Sequence, residues 1–478
     1  MKRFGFFGRR TKIVCTIGPA TSSAAVIEQL MKAGMNVARL NLSHGTYKEH
    51  ARRIQTIRKL SRRLAIPVAV LIDLPGPKYR TGGLRDGQAR LKRGAQVILT
   101  TRQVKGDGGI IPVNPSTLPR DVRVGDTVLL DDGAMRLKVL ESRGREVRCV
   151  VTVGGMLTER RGLVVPEMHI SSPFVTDVLR ETISFAVEQR PDYLALSFVS
   201  DARDVNSVRT ILHDNGADIP VIAKIERGVA VAKFDSILMA SDGIMVARGD
   251  LGVDIPLERV PLVQKDIIKK CNQTGKPVIT ATQMMESMVN APSPTRAEVA
   301  DVANAIFDGT DAIMLSAETS VGKYPVQAVK MMANIARETE NKLPYDQMLS
   351  ERGKWLEQKT DELISYSACY SAHSLGVAAI VAFTESGSTA GRLSKYRPRT
   401  PIVAITPDGR VGGRLMLRWG VHPFQISGPS SVDELFSTAV KVCRELGLTK
   451  RGDLIVITGG VPMGVAGSTN LLKVEKVQ

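Results

Sequence analysis

Val221–Pro256 reads VIAKIERGVAVAKFDSILMASDGIMVARGDLGVDIP, and this stretch decides the fold. Its first apolar run, Val221–Ile225, carries Lys224 and ends on Glu226. A helical stretch follows. A second run, Gly243–Ala247, ends in Arg248-Gly249-Asp250-Leu251-Gly252. Runs this short, rich in Val and Ile and separated by a helix, predict parallel strands buried on both faces. The charges fall where the strands finish, which is the ligand-binding end of barrels and open α/β sheets. Lys224, Glu226 and Asp250 then share one mouth, and two carboxylates beside a lysine suit a divalent metal holding a phosphorylated anion. An interstrand salt bridge would account for Lys224 and Glu226 alone. The Gly249–Gly252 turn favours a site, because glycine lets backbone N–H groups approach a ligand and the next helix aims its positive end there.

The same alternation runs outward in both directions. Strands are expected at Thr11–Ile17, Asn36–Leu40, Pro67–Asp73, Tyr193–Phe198, Val278–Thr282 and Ala312–Ser316, with helices between them. With the two opening runs this makes eight strand–helix units, the pattern of a (β/α)₈ barrel. The rhythm breaks at the rigid turn Leu74-Pro75-Gly76-Pro77. Short β segments follow (Gln96–Thr101, Thr127–Leu130, Met135–Leu140, Val147–Val153), an all-β insertion placed where a lid over the mouth belongs. Lys342–Glu357 reads as a linker. Beyond it, strands at Ala379–Phe383, Ile402–Thr406, His422–Ile426 and Leu454–Thr458 alternate with helices as a doubly wound α/β domain. The expected division is 1–75 with 173–342 for the barrel, 76–172 for the β lid, and 343–478 for the C-terminal domain.

The composition narrows the function. The 478 residues carry a formal charge of +17 and only 4% aromatics. The charge allows nucleic-acid contact, which would show as salt-dependent retention on DNA or RNA. The scarcity of aromatics argues against base-stacking platforms, and the basic residues are dispersed, so no nucleic-acid partner is expected. The five cysteines (Cys15, Cys149, Cys271, Cys369, Cys443) show no CxxC, as for reduced thiols in a cytoplasmic protein. Met1–Phe7 is too short for a signal h-region, and no stretch reaches membrane-spanning length, so no membrane is expected.

The polar groups at the strand ends form one list: Arg39, Asn41 and Ser43; Asp73; Lys224 and Glu226; Gly249 and Asp250; Thr282; Ser316 and Glu318; with Arg80 just inside the insertion. Groups from nearly every unit converging on one mouth point to phosphoryl transfer near an enolate. Arg39 and Arg80 would bracket a phosphoryl group with forked donors. Lys224 would neutralise charge developing on it. Glu226 and Asp250 would hold a hard ion, Mg²⁺ or Mn²⁺ in its place. The Gly249–Asp250 amides and the Thr282 hydroxyl would hold a carboxylate. His44 reads as structural.

Ala38–Gly45 (ARLNLSHG), Ile225-Glu226, Met245–Gly252 (MVARGDLG), Ala281–Met284 (ATQM), Pro294–Glu298 (PTRAE) and Met314–Thr319 (MLSAET) together resemble pyruvate kinases, from about Thr11 to the C-terminus. The resemblance implies transfer of the phosphoryl group of phosphoenolpyruvate to ADP, giving ATP, followed by protonation of the enolate to pyruvate. It also implies Lys224 on the moving phosphoryl group, Glu226 and Asp250 on Mg²⁺, Arg39 and Arg80 on phosphate, and Thr282 and Ser316 near the protonation step. Asn41, His44, Arg80 and Arg161 fall at the nucleotide, where Arg160-Arg161 resembles a lysine pair. There are departures. Ser200 stands where the family usually has a basic residue, and the lid exit Gly162–Ile170 (GLVVPEMHI) lacks the usual wording. The oxygens that hold K⁺ in many relatives map to Asn41, Ser43, Asp73 and Leu74. Here Leu74 replaces a threonine and Lys78 an acidic residue, so K⁺ is expected not to be required, the Lys78 ammonium standing near the vacant site. The loop Thr384, Ser386, Gly387, Ser388, Thr389, with the 459–470 loop, is expected to bind a phosphorylated allosteric effector, a sugar monophosphate or AMP. A cytoplasmic homotetramer is the family expectation. An Mg²⁺-dependent oxo-acid lyase on a similar barrel is the competing enzyme class, distinguished by having no nucleotide dependence.

Overall fold

The computed structural model describes residues 8–166, 168, 171–426, 428, 431–462 and 467–478. Glu167, His169 and Ile170 of the lid exit and residues 463–466 of the 459–470 loop lie outside the described residues, as does Met1–Phe7.

Eight parallel strands close into a barrel: β1 (Lys12–Thr16), β2 (Val37–Asn41), β3 (Ala69–Leu74), β4 (Tyr193–Leu196), β5 (Val221–Ile225), β6 (Gly243–Ala247), β7 (Val278–Ala281) and β8 (Ala312–Leu315). Each pairs with its sequence neighbour, and β8 closes on β1 with Cys15 beside Leu315. Alternate residues explain why the runs carry apolar side chains on both faces. Val14, Val37, Leu71, Tyr193, Ile222, Met245, Ile279 and Met314, one from each strand, fill the barrel interior. Their neighbours, such as Ile13, Ile72, Val221 and Ile244, pack outward under the helices. The helices begin where side chains satisfy their free amides. Thr46 with Glu49 starts Tyr47–Leu64, and Thr295 with Glu298 starts Arg296–Asp308, each as a reciprocal capping box.

The insertion is a second closed barrel of seven strands with its own core, plus a two-stranded ribbon of Gln88–Leu91 and Gly155–Thr158. It is not wholly β, since Leu118–Asp121 forms one helical turn. The C-terminal sheet runs Val421–Gln425, Ile402–Thr406, Ala379–Phe383, Leu454–Gly460, Thr469–Lys476. Its last strand is antiparallel and was not expected from the sequence. The expected linker also contains a helix, Tyr345–Gly353, which buries Tyr345 and Leu349. This domain meets the foot of the barrel through Arg397, whose Nη1 pairs with Asp311 at 2.7 Å while Nη2 donates to the Asn272 side chain and the Gly309 carbonyl, both at 2.8 Å. Among the described residues no helix is long and apolar enough to cross a membrane.

Candidate active site

Lys224 is the centre of the barrel mouth. It lies on β5, two residues before Glu226, and both are buried. Its ammonium donates to Ser197 Oγ at 2.7 Å and pairs with Glu226 at 2.9 Å and Asp73 at 3.3 Å. Burial disfavours the ammonium, yet Asp73 and Glu226 outweigh it and hold the Lys224 pKa above its ordinary value. Asp73, at the end of β3, is ringed by donors: Arg39 Nε at 2.7 Å, Ser197 Oγ at 3.1 Å and Lys224. Burial opposes its ionisation, but Lys224 and Arg39 keep its carboxyl below the usual range. Arg39 is fixed on its other side by Thr16 Oγ1 at 2.9 Å. Ser197 is absent from the list of strand-end groups drawn from the sequence. It stands one residue beyond β4, which ends at Leu196, two residues short of the expected Tyr193–Phe198, a range that places Ser197 inside the strand.

Glu226 and Asp250 line one small cavity of about 20 Å³ together with Lys78, Phe198 and Arg227. That is room for about one water or ion. Burial pushes the Glu226 carboxyl up, and the nearby Asp250 charge adds to this against the pull of Lys224. A cation between the two carboxylates would relieve that strain. Among the described residues no group of three or more His, Cys, Asp or Glu side chains gathers as a metal site. Two carboxylates with the remaining positions left to water and substrate oxygens fit Mg²⁺, which binds through few protein ligands and keeps its waters. The Phe198 N–H donates to Glu226 Oε2 at 2.6 Å and fixes the carboxylate.

Lys78 departs from its expected place. The sequence puts it beside Asn41, Ser43, Asp73 and Leu74, whereas its ammonium pairs with Asp250 at 2.7 Å and lies 5.3 Å from the centre of the Phe198 ring. Electrostatics accounts for this. The Asp73 charge is already met by Arg39 and Lys224, while Asp250 presents a carboxylate at the lid entry. Lys78 does not face solvent either, its side chain being 15% exposed.

Next to Asp250 in the chain, the Gly249 N–H donates to the Thr282 hydroxyl at 2.7 Å, and that hydroxyl itself donates to the Ala281 carbonyl at 2.6 Å. The amide expected to hold a carboxylate therefore already rests on the side chain expected to share that task. Ser316 Oγ, beyond β8, is buried without a hydrogen-bond partner among the described residues. The Ser316 and Met285 amides donate to Glu318 at 2.7 and 3.1 Å, and burial raises the Glu318 carboxyl.

The residues expected at the nucleotide are only partly gathered. Asn41 Oδ1 accepts from the Ser43 N–H at 3.1 Å, and the His44 carbonyl is 2.7 Å from His50 Nε2, which supports a structural role for that turn. Leu74 is buried. Arg80 stays exposed on the lid, donating to the Arg160 carbonyl at 3.3 Å, and is not brought against Arg39. Arg161 is likewise held within the lid by Thr158 at 2.6 Å and Asp131 at 3.4 Å. In the C-terminal domain Gly387 takes a φ of 87° and starts the Ser388–Lys395 helix. Its N–H donates to Thr384 Oγ1 at 2.9 Å, Ser386 bonds Ser388 at 3.2 Å, and Thr389 meets Thr469 at 2.7 Å.

Comparison with known proteins gives a consistent answer over nearly the whole chain. Residues 8–329 match the family model described as pyruvate kinase, barrel domain, and residues 362–475 the one described as pyruvate kinase, alpha/beta domain. A curated pyruvate kinase of Staphylococcus aureus (strain MRSA252) is 47% identical over 471 residues, covering 98% of this chain and 80% of that protein. The pyruvate kinase of strain USA300 matches to the same extent. A crystal structure of a pyruvate kinase from Cryptosporidium parvum superposes with a TM-score of 0.93 at 37% identity, covering 98% of this chain and 97% of that one.

Proposed function

The chain belongs to the pyruvate kinase family, and from that premise we propose how its own residues carry the phosphoryl group from phosphoenolpyruvate to ADP. The oxo-acid lyase reading finds no support in these relationships and is set aside. The barrel (1–75 and 173–342) holds the chemistry, the lid (76–172) closes over it, and the C-terminal domain (343–478) regulates it.

The observation that carries the reading is the buried Lys224 ammonium, held by Ser197, Glu226 and Asp73. A charge fixed before the reaction costs no reorganisation as the phosphoryl group moves, so it stabilises the transition state more than the bound substrate. Arg39, anchored by Asp73 and Thr16, offers the remaining guanidinium edge to phosphate. Arg80, Asn41, His44 and Arg161 meet the nucleotide when the lid closes. Glu226 and Asp250 would hold Mg²⁺, or Mn²⁺ in its place, and the ion would supply positive charge to the reacting anion. Gly249, Asp250 and Thr282 hold the carboxylate of phosphoenolpyruvate. Thr282 and Ser316 order the water from which C3 of the enolate takes its proton, the carbon–carbon double-bond electrons forming the new C–H bond as the oxygen becomes the carbonyl of pyruvate. The test is Lys224→Gln. It should lower kcat about 10³-fold while phosphoenolpyruvate still binds, and near-normal turnover would refute the assignment.

Activity without K⁺ is part of the same proposal. Leu74 offers no side-chain oxygen and Asp73 is already neutralised by Arg39 and Lys224, while Lys78, seated on Asp250 rather than among the K⁺ oxygens, adds a tethered positive charge at the same mouth. Regulation by a phosphorylated compound rests on the hydroxyl-rich start of the Ser388–Lys395 helix. Phosphoenolpyruvate saturation curves should shift with a sugar monophosphate or AMP, and curves unmoved by all such compounds would exclude it. The working unit is read as a cytoplasmic homotetramer, to be weighed by sedimentation.

A further inference from the structure

The turn that carries Thr282 is held in a conformation its residues disfavour. Thr282 has a φ of 66° and Gln283 a φ of 53°, two consecutive non-glycine residues in the left-handed region. For a β-branched side chain this is an outlier, and it persists only where surrounding contacts impose it. Those contacts converge on Arg248. Its Nη2 donates to the carbonyls of Thr282 at 3.0 Å and Gln283 at 3.2 Å. Behind it, Asp301 takes both guanidinium nitrogens, Nη1 and Nη2, at 2.7 Å each, and Gln264 accepts from Nη1 at 3.3 Å. The planar fork is thus pinned by a carboxylate on one helix, and the same Nη2 that meets this carboxylate also reaches two successive carbonyls. The next residue along, Gly249, donates its N–H to the Thr282 hydroxyl. One short segment therefore fixes both the backbone and the hydroxyl of Thr282, and its third residue is the carboxylate Asp250.

We propose that Arg248, backed by Asp301, is a positioning residue for enolate protonation that acts through Thr282. This rests on the reading of Thr282 as a residue of the protonation step. Lysine at 248 keeps the charge but cannot span two carbonyls and a bidentate carboxylate at once. The Thr282 turn should then relax and carry its hydroxyl off the Gly249 amide. A displacement of about 1 Å at such a site lowers turnover about 10²-fold.

The test compares Arg248→Lys, Asp301→Asn, Thr282→Val and the Arg248→Lys/Thr282→Val double variant in the full-length protein. Three readouts are used: kcat, exchange of pyruvate methyl protons for deuterium followed by NMR, and Mn²⁺ binding followed by electron paramagnetic resonance. Arg248→Lys should lower kcat and methyl exchange together by about 10²-fold, with Mn²⁺ affinity unchanged. Asp301→Asn should show a smaller loss of the same kind. The double variant should be no slower than Thr282→Val alone, since a group acting through Thr282 has nothing left to position. Losses that multiply in the double variant, or normal methyl exchange in Arg248→Lys, overturn the proposal while leaving the Thr282 reading intact. Full activity of Thr282→Val overturns that reading, and the proposal with it.

Discussion

Replacing Ser197 by alanine removes a hydroxyl that joins the two central charges of the site. It accepts from Lys224 at 2.7 Å and donates to Asp73 at 3.1 Å, and all three residues are less than a tenth exposed. Lys224 keeps Glu226 and Asp73 as partners, so the ammonium stays charged but loses one of three anchors. A hydrogen bond to a charged group contributes about 1.5–3 kcal/mol. If about 2 kcal/mol of that is lost from the transition state, kcat falls about 30-fold. The KM for phosphoenolpyruvate should change far less, because the ammonium matters most as the phosphoryl group moves. The same variant should lose about 2 kcal/mol of stability in urea unfolding, and Ser197→Thr, which keeps the hydroxyl, should restore most of both. A Ser197→Ala enzyme with kcat within about twofold of the unmodified protein would refute the claim that preorganisation of Lys224 drives the rate.

Two further outcomes follow from the charges. Burial raises the Asp192 carboxyl to about 6, against the opposing Val70 amide, Arg58 and Arg414. Its contribution to stability is therefore fully present below about pH 4 and is lost as the pH rises through about 6; Asp192→Asn should flatten that slope and stabilise the protein at pH 7 by up to about 3 kcal/mol, and an unchanged stability–pH curve would contradict it. Activity in tetramethylammonium salts at constant ionic strength should not rise on adding K⁺, while Lys78→Glu should create a need for it; strong activation of the unmodified enzyme by K⁺ would refute this.

The parts legible in the sequence are those where one periodicity governs. Val221–Ile225 and Gly243–Ala247 were readable to the residue because both faces of a barrel strand are buried, so each run is apolar but for Lys224 at the mouth. Thr469–Lys476 (TNLLKVEK) was not, because it is an antiparallel edge strand with exposed charges and carries no such run. In the lid, Pro112 sits inside Ile110–Asn114 and glycines open Gly155–Thr158 and Gly162–Val164, which masks short strands. The site divides in the same way. Lys224, Glu226, Asp250 and Thr282 follow from strand ends, which the chain order supplies. The Lys78–Asp250 pair joins side chains 172 residues apart, and the left-handed turn at Thr282 depends on Arg248. Both are set by tertiary packing, which no local pattern records.

The most direct test of the account is to follow pyruvate and ATP together from phosphoenolpyruvate, omitting ADP and Mg²⁺ in turn and repeating the complete mixture with Glu226→Gln. The account predicts pyruvate and ATP in equal amounts only when phosphoenolpyruvate, ADP and Mg²⁺ are all present, and neither product from the variant at a comparable rate. Pyruvate released without ADP, or full activity of Glu226→Gln, would contradict it.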